Sequence, residues 1–228
     1  MVKKIEKLTV FFVLAAVSFC GGCGILGVVG TPRQHEIKIP AEYDLTKQKN
    51  RKVLVLVEQP GWLSTQVNLR YYLTEAIHRS LMAQVKVKPE YILSYKQLSE
   101  FRSSKDDFLS LSPAEVGTAL GADVVLLVAI EDYQVSELAE SGVYNGFLSV
   151  QEALFETATG KKVWPESEEN KSIKVNFETG EHGHEAAVER LVSSCAYCTS
   201  RYFYNCPKYK FKTFDEQKDI GWDTIGGE

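Results

Sequence analysis

Two groups of residues in this chain have types and spacings that could do chemistry. Near the N-terminus, Cys20 and Cys23 sit among small residues in Ser18-Phe19-Cys20-Gly21-Gly22-Cys23-Gly24. A thiol in that setting, behind an apolar run, is the kind that accepts a diacylglyceryl group and becomes the first residue of a mature chain. Further on, His182 and His184 are flanked by Glu181 and Glu185 and followed by Cys195 and Cys198. Imidazole and thiolate are zinc ligands, and a zinc site asks for four of them, usually in two close-spaced clusters. A Cys-x-x-Cys pair is also the arrangement of a thiol redox centre, provided it opens a helix whose dipole lowers the thiol pKa.

The first group is the more specific. Lys3, Lys4 and Lys7 precede the apolar run from Leu8 to Val17, and the small-residue stretch follows. Charge, apolar core and small residues in that order form an export signal. Cys23 has Gly22 and Gly21 before it, which suits a peptidase that needs small residues, although Cys20 stands where a lipobox carries leucine. Cys20 has Ser18 and Val17 correctly placed, but bulky Phe19 lies at its cut. Cys23 is therefore the expected lipidation site and Cys20 the runner-up. Residues 1–22 read as the signal peptide of a lipoprotein carrying diacylglycerol and palmitate. Two alternatives stand beside this. Leu8 to Gly30 has no charged residue and is long enough to span a bilayer of about 30 Å uncleaved, although Gly21, Gly22, Gly24, Gly27 and Gly30 make a poor helix. Simple secretion is the other. Gly22-x-Gly24-x-x-Gly27 matches a dinucleotide fingerprint in spacing only, because no helix follows it.

The second group reads less like a site. His182 and His184 fall in a loop ahead of a helix, and Cys195 lies on that helix turned toward the core, so no metal is expected and no cofactor is implied. Cys195 and Cys198 fall mid-helix, where the dipole does not help them. Their β-carbons would be about 5–6 Å apart, against about 3.8 Å for a relaxed disulfide. Cys206, beyond the helix end and before Pro207, can fold back onto Cys198 to form a bridge in an oxidising compartment; buried thiols are the other possibility. Ser112 reads as a helix cap and Glu168-Glu169 as solvated loop acids. The aromatic run Tyr202, Phe203 and Tyr204 either packs a helix end onto the sheet or docks a partner.

The elements that must position these residues follow from the pattern. The chain has 228 residues, 44% hydrophobic and 25% charged, with a net charge of −4. Removing residues 1–22 takes away three lysines and one glutamate and leaves −6. No basic stripe appears, which argues against nucleic acid. Residues 23–50, with Pro32, Pro40 and mixed charges, read as a tether; 51–206 as a single α/β (α+β) domain; 207–228 as a polar tail. Val53 to Val57 is a strand buried on both faces. Ser64 or Thr65 caps a helix to about Met82, Val85 to Val87 forms a short strand, and Leu93 to Phe101 a short helix. Ser112-Pro113-Ala114-Glu115 opens a helix that stops at Gly121. Asp123 to Ile130 is a second buried strand. Tyr144 to Glu156 and Lys161 to Trp164 are hairpin-linked through Thr157-Ala158-Thr159-Gly160, and Lys171 to Phe177 continues that strand direction. His184 to about Tyr204 is a closing amphipathic helix. The sum is a small mixed sheet flanked by helices, with a hairpin-linked antiparallel part and a closing C-terminal helix.

Two stretches carry a resemblance. Ser112-Pro113-Ala114-Glu115-Val116-Gly117-Thr118-Ala119-Leu120-Gly121-Ala122-Asp123-Val124-Val125-Leu126 and Leu148 to Trp164, with its Thr159-Gly160-Lys161-Lys162-Val163-Trp164 ending, resemble cell-envelope lipoproteins of the curli-secretion type. They are similar too to neisserial and peptidoglycan-synthase activator lipoproteins and to the amino-terminal domain of the Tol–Pal β-propeller protein. The resemblance spans roughly residues 52–204 and implies a mixed sheet flanked by helices. It also implies work by contact with other envelope proteins, at the outer membrane facing the periplasm, with homo-oligomerisation open. The chain has little length between elements for the exporter's membrane-spanning hairpins. The leading expectation is a non-catalytic adaptor or assembly and secretion accessory, tied to the membrane by its N-terminal lipid. The alternatives are a periplasmic metal or thiol redox protein using His182, His184, Cys195 and Cys198, and a subunit of an oligomeric secretion channel.

Overall fold

The computed structural model describes residues 37–48, 50–63, 67–139, 142–179 and 183–208. The chain joins the fold earlier than the tether reading expects. Strand β1 (Lys38–Ile39) pairs antiparallel with β7 (Cys206–Pro207), with Ile39 opposite Cys206. Leu45 is buried in the main core, and the Tyr43 amide donates to the Tyr202 carbonyl at 3.2 Å. Residues 37–48 are thus part of the domain, and the first and last described residues meet where Lys208 N–H donates to the Ile37 carbonyl at 2.7 Å. A short polar stretch with two prolines shows no periodicity, so hydropathy alone does not find it.

The second sheet is five-stranded and mixed. Strand β2 (Val53–Glu58) runs parallel to β3 (Val124–Glu137), whose other edge pairs antiparallel with β4 (Tyr144–Glu156). Strands β5 (Lys162–Trp164) and β6 (Lys171–Thr179) both pair antiparallel with β4, end to end along one edge. Leu54 to Val57 lie within 1% of full burial, as a β-branched run covered on both faces requires. Strand β3 is longer than the sequence suggests. Its register shifts between Ile130 and Asp132, and beyond that bulge Glu131, Asp132, Gln134 and Glu137 are exposed. That polarity hides the distal half from a search for buried runs. Strands β3 and β4 have the length of membrane strands, but the exposed residues of β3 are polar rather than apolar, opposite to a lipid-facing barrel strand.

Four helices cover the sheet. Helix α1 (Leu69–Ser80) is capped by Asn68, whose side chain accepts from Tyr71 N–H; Ser64 and Thr65 lie outside the described residues. Its last turn widens into a π turn over Leu81–Val85, ended by Lys86 at φ 66°. That left-handed residue replaces the short strand expected at Val85 to Val87. Helices α2 (Tyr95–Ser104) and α3 (Pro113–Leu120) both open on capping boxes, Ser94 with Gln97 and Ser112 with Glu115. Gly121, at φ 73°, caps α3 in a conformation that favours glycine. A Cβ on Gly117 would stand 2.3 Å from Val125 Cγ2 and 2.6 Å from Thr157 Cγ2, so its bare backbone is what lets α3 press on the sheet. Helix α4 (Gly183–Ser200) continues into a 3-10 turn over Arg201–Phe203. Helices α1 and α4 pack together on one sheet face, in a core with Val128, Leu148, Leu154 and Trp164. Helices α2 and α3 cover Leu54, Leu56 and Val125 on the other.

Candidate functional site

The structure separates the residues that the sequence groups together. Cys20 and Cys23 lie outside the described residues, as does His182. His184 is exposed in the first turn of α4, with its ring 6.2 Å edge-on from Tyr144. Cys195, three turns further along α4, is fully buried. Among the described residues no group of three or more His, Cys, Asp or Glu side chains is placed to hold a metal ion. Cys195, Cys198 and Cys206 are buried thiols, so the Cys198–Cys206 bridge is not formed in the structure. Cys206 is held in β7, with its Sγ 3.4 Å from the Tyr204 hydroxyl. Burial, then the neighbouring Glu152 charge, pushes the Cys195 thiol well above its ordinary range. A redox cysteine needs the reverse shift.

Tyr202, Phe203 and Tyr204 are not a docking surface. They are 6%, 0% and 8% exposed, and the Tyr202 and Phe203 rings lie 5.6 and 4.9 Å from that of Trp164. The physical reason is the end of α4. The 3-10 turn tightens the chain onto the sheet and drives these rings into the core beneath β5. Trp164 in turn donates from Nε1 to Glu42 Oε2 at 2.8 Å, and Glu42 Oε1 meets Lys171 Nζ at 2.7 Å. These contacts bolt residues 37–48 to the sheet.

Two features escape the residue-type search. The first is Glu152, fully buried in β4. It alternates with Leu148, Val150 and Leu154, which places it on the face covered by α4; strand parity could have found it. Thr199 Oγ1 is hydrogen-bonded to Glu152 Oε1 and also lies 2.9 Å from the Cys195 carbonyl. One hydroxyl hydrogen cannot serve both acceptors, so a protonated Glu152 that donates to Thr199 satisfies the set. Burial pushes the Glu152 carboxyl up to about 8, against the pull of Thr199, Arg201 and Lys171. Its Oε2 has no hydrogen-bond partner among the described residues.

The second is a groove of about 620 Å³ between α1 and α4. Tyr71 and Tyr72 form one wall, 44% and 39% exposed, with rings 5.6 Å apart edge to face. Val188 and Val192 floor it, and Glu75, Glu185 and Glu189 line its rim. Helix spacing explains the set: Tyr72, Glu75 and Arg79 fall on one stripe of α1, and Glu185, Val188, Glu189 and Val192 on one stripe of α4. An exposed tyrosine pair beside a concave apolar floor is suited to binding a protein segment rather than to bond making.

The fold defined by these elements is a mixed α+β domain with helices on both sheet faces. No protein-family model and no curated protein matches the sequence. Solved structures similar to the chain include lipoprotein GNA1162 from Neisseria meningitidis, 18% identical over 64% of this chain and 94% of that one, with a TM-score of 0.41. The PelC dodecamer from Paraburkholderia phytofirmans is 11% identical over 69% and 93%, with a TM-score of 0.42. The LpoB C-terminal domain from Salmonella enterica is 20% identical over 62% and 86%, with a TM-score of 0.30.

Proposed function

We propose that the protein is a lipid-anchored adaptor of the bacterial cell envelope, held through Cys23 and working by protein–protein contact without catalysis. The observation that carries the reading is the order Lys3-Lys4, Leu8 to Val17, Cys23. Cleavage before Cys23 leaves roughly 14 residues up to Ile37, a tether that reaches at most about 50 Å. That length lets the domain stand off an outer membrane on its periplasmic side. Two further features support the reading. Helices α1 and α4 present an open groove with exposed tyrosines, the residue type that interface centres favour. Cys195 and Glu152, a thiol and a carboxyl of the core, are both fully buried and so closed to a substrate.

The test is metabolic labelling with palmitate in wild type, Cys20→Ser and Cys23→Ser, followed by membrane fractionation. Label and membrane attachment are lost in Cys23→Ser and kept in Cys20→Ser. Label that survives in Cys23→Ser overturns the assignment of the anchor.

A further inference from the structure

The groove between α1 and α4 has an apolar bed and an acidic rim. Val188 and Val192 close its base but are only 4% and 1% exposed, so the apolar surface it offers comes chiefly from Tyr71 and Tyr72, 44% and 39% exposed. Glu75 comes from α1, while Glu185 and Glu189 stand on successive turns of α4. Glu75 Oε1 approaches His78 Nδ1 at 3.7 Å, but burial lowers the His78 pKa to about 4, so that imidazole is neutral at pH 7 and leaves the carboxylate charge uncancelled. Glu185 and Glu189 make no ion pair among the described residues. Arg79 is the one arginine or lysine among the described lining residues, set against three carboxylates. The tyrosine rings add their own preference, since an aromatic face attracts a cation within about 6 Å.

We propose that this groove docks a protein segment that presents lysine or arginine next to an apolar side chain. The apolar group lies against the exposed rings of Tyr71 and Tyr72, and the cation sits at the rim of Glu185 and Glu189. Charge complementarity selects the partner's sign and speeds encounter, while the tyrosines supply the contact. The inference rests on the adaptor reading for its purpose, but its chemistry does not depend on the lipid.

The experiment uses the full chain, extracted from membranes in a neutral detergent. The probe is a labelled synthetic hexapeptide, Lys-Leu-Lys-Tyr-Lys-Leu, beside a counterpart with glutamate in place of lysine. Anisotropy should show the lysine peptide binding at least about tenfold tighter than the glutamate peptide, a difference of about 1.4 kcal/mol. Rising salt should weaken it, as for any exposed charge pairing. The Glu185→Lys/Glu189→Lys variant, altered only at exposed positions, should lose that preference while its circular dichroism is unchanged. Tyr72→Ala should weaken binding of the lysine peptide without reversing the charge preference. Equal binding of both peptides, binding of neither, or a preference that survives the charge reversal overturns the proposal. Palmitate content is read on the same preparation. Failed peptide binding with intact lipidation sinks the groove and leaves the anchor; missing lipid sinks the anchor and leaves the groove.

Discussion

Glu152 sets a pH dependence that can be worked out in advance. Its carboxyl is pushed up from an ordinary 4.5 to about 8 by burial under α4. Below the ordinary value both folded and unfolded chains carry the proton, and the fold is fully favoured. As pH rises from there toward 8, the unfolded chain releases a proton that the folded chain must keep, so stability falls at about 1.4 kcal/mol per pH unit. Between pH 5 and pH 8 the loss comes to roughly 3 kcal/mol, or about 6–12 °C in Tm for a domain of this size. Glu152→Gln removes the titration and keeps the packing, since its amide can donate to Thr199 Oγ1 as the protonated acid does. The assay is urea unfolding of both proteins at half-unit steps from pH 5 to 8.5. The variant should gain on wild type steadily across that range and be the more stable at pH 8. Parallel curves would refute the argument, for they would mean that Glu152 is already ionised or reached by water in the fold.

Four further outcomes follow from the same geometry. His78 is held down to about 4 by burial, so its contribution is present above its ordinary 6.5 and is lost as pH falls through 4; His78→Gln should remove about 3 kcal/mol of that acid-side loss, measured by urea midpoints at pH 4 and 7. Gly117→Ala places a methyl against Val125 and Thr157 and should cost about 1–3 kcal/mol in unfolding free energy. Glu42→Ala strands the buried Trp164 Nε1 donor and should cost about 1–3 kcal/mol, with faster amide exchange at Tyr43 and Leu45. Cys195, buried and raised in pKa, should resist iodoacetamide at pH 8 in the native protein and react in urea, as read by mass.

Much of this architecture is visible in the residues themselves, and the exceptions have physical causes. The capping box at Ser112, the stop at Gly121 and the buried runs at Val53 and Val124 are local signals, and the structure repeats them. What local pattern cannot carry is pairing at a distance. Lys38 and Ile39 become a strand only because Cys206 and Pro207 lie opposite them, and nothing in their own neighbourhood announces that. The distal half of β3 is polar because one face meets water, so it reads as loop. Tyr202, Phe203 and Tyr204 have a composition that fits a core and an interface equally; the tightening of α4 into a 3-10 turn decides for the core. The tyrosine groove needs two helices from opposite ends of the chain, and only their packing reveals it. Glu152, by contrast, was legible from its place between Val150 and Leu154 once strand parity is applied.

The most direct test of the account is the intact mass of the protein extracted from membranes. The expected species is a chain that begins at Cys23, heavier than its residues by a diacylglyceryl group and an acyl chain. A mass equal to the unprocessed sequence from Met1 would contradict it and would mean that Leu8 to Gly30 stays in place as an anchor.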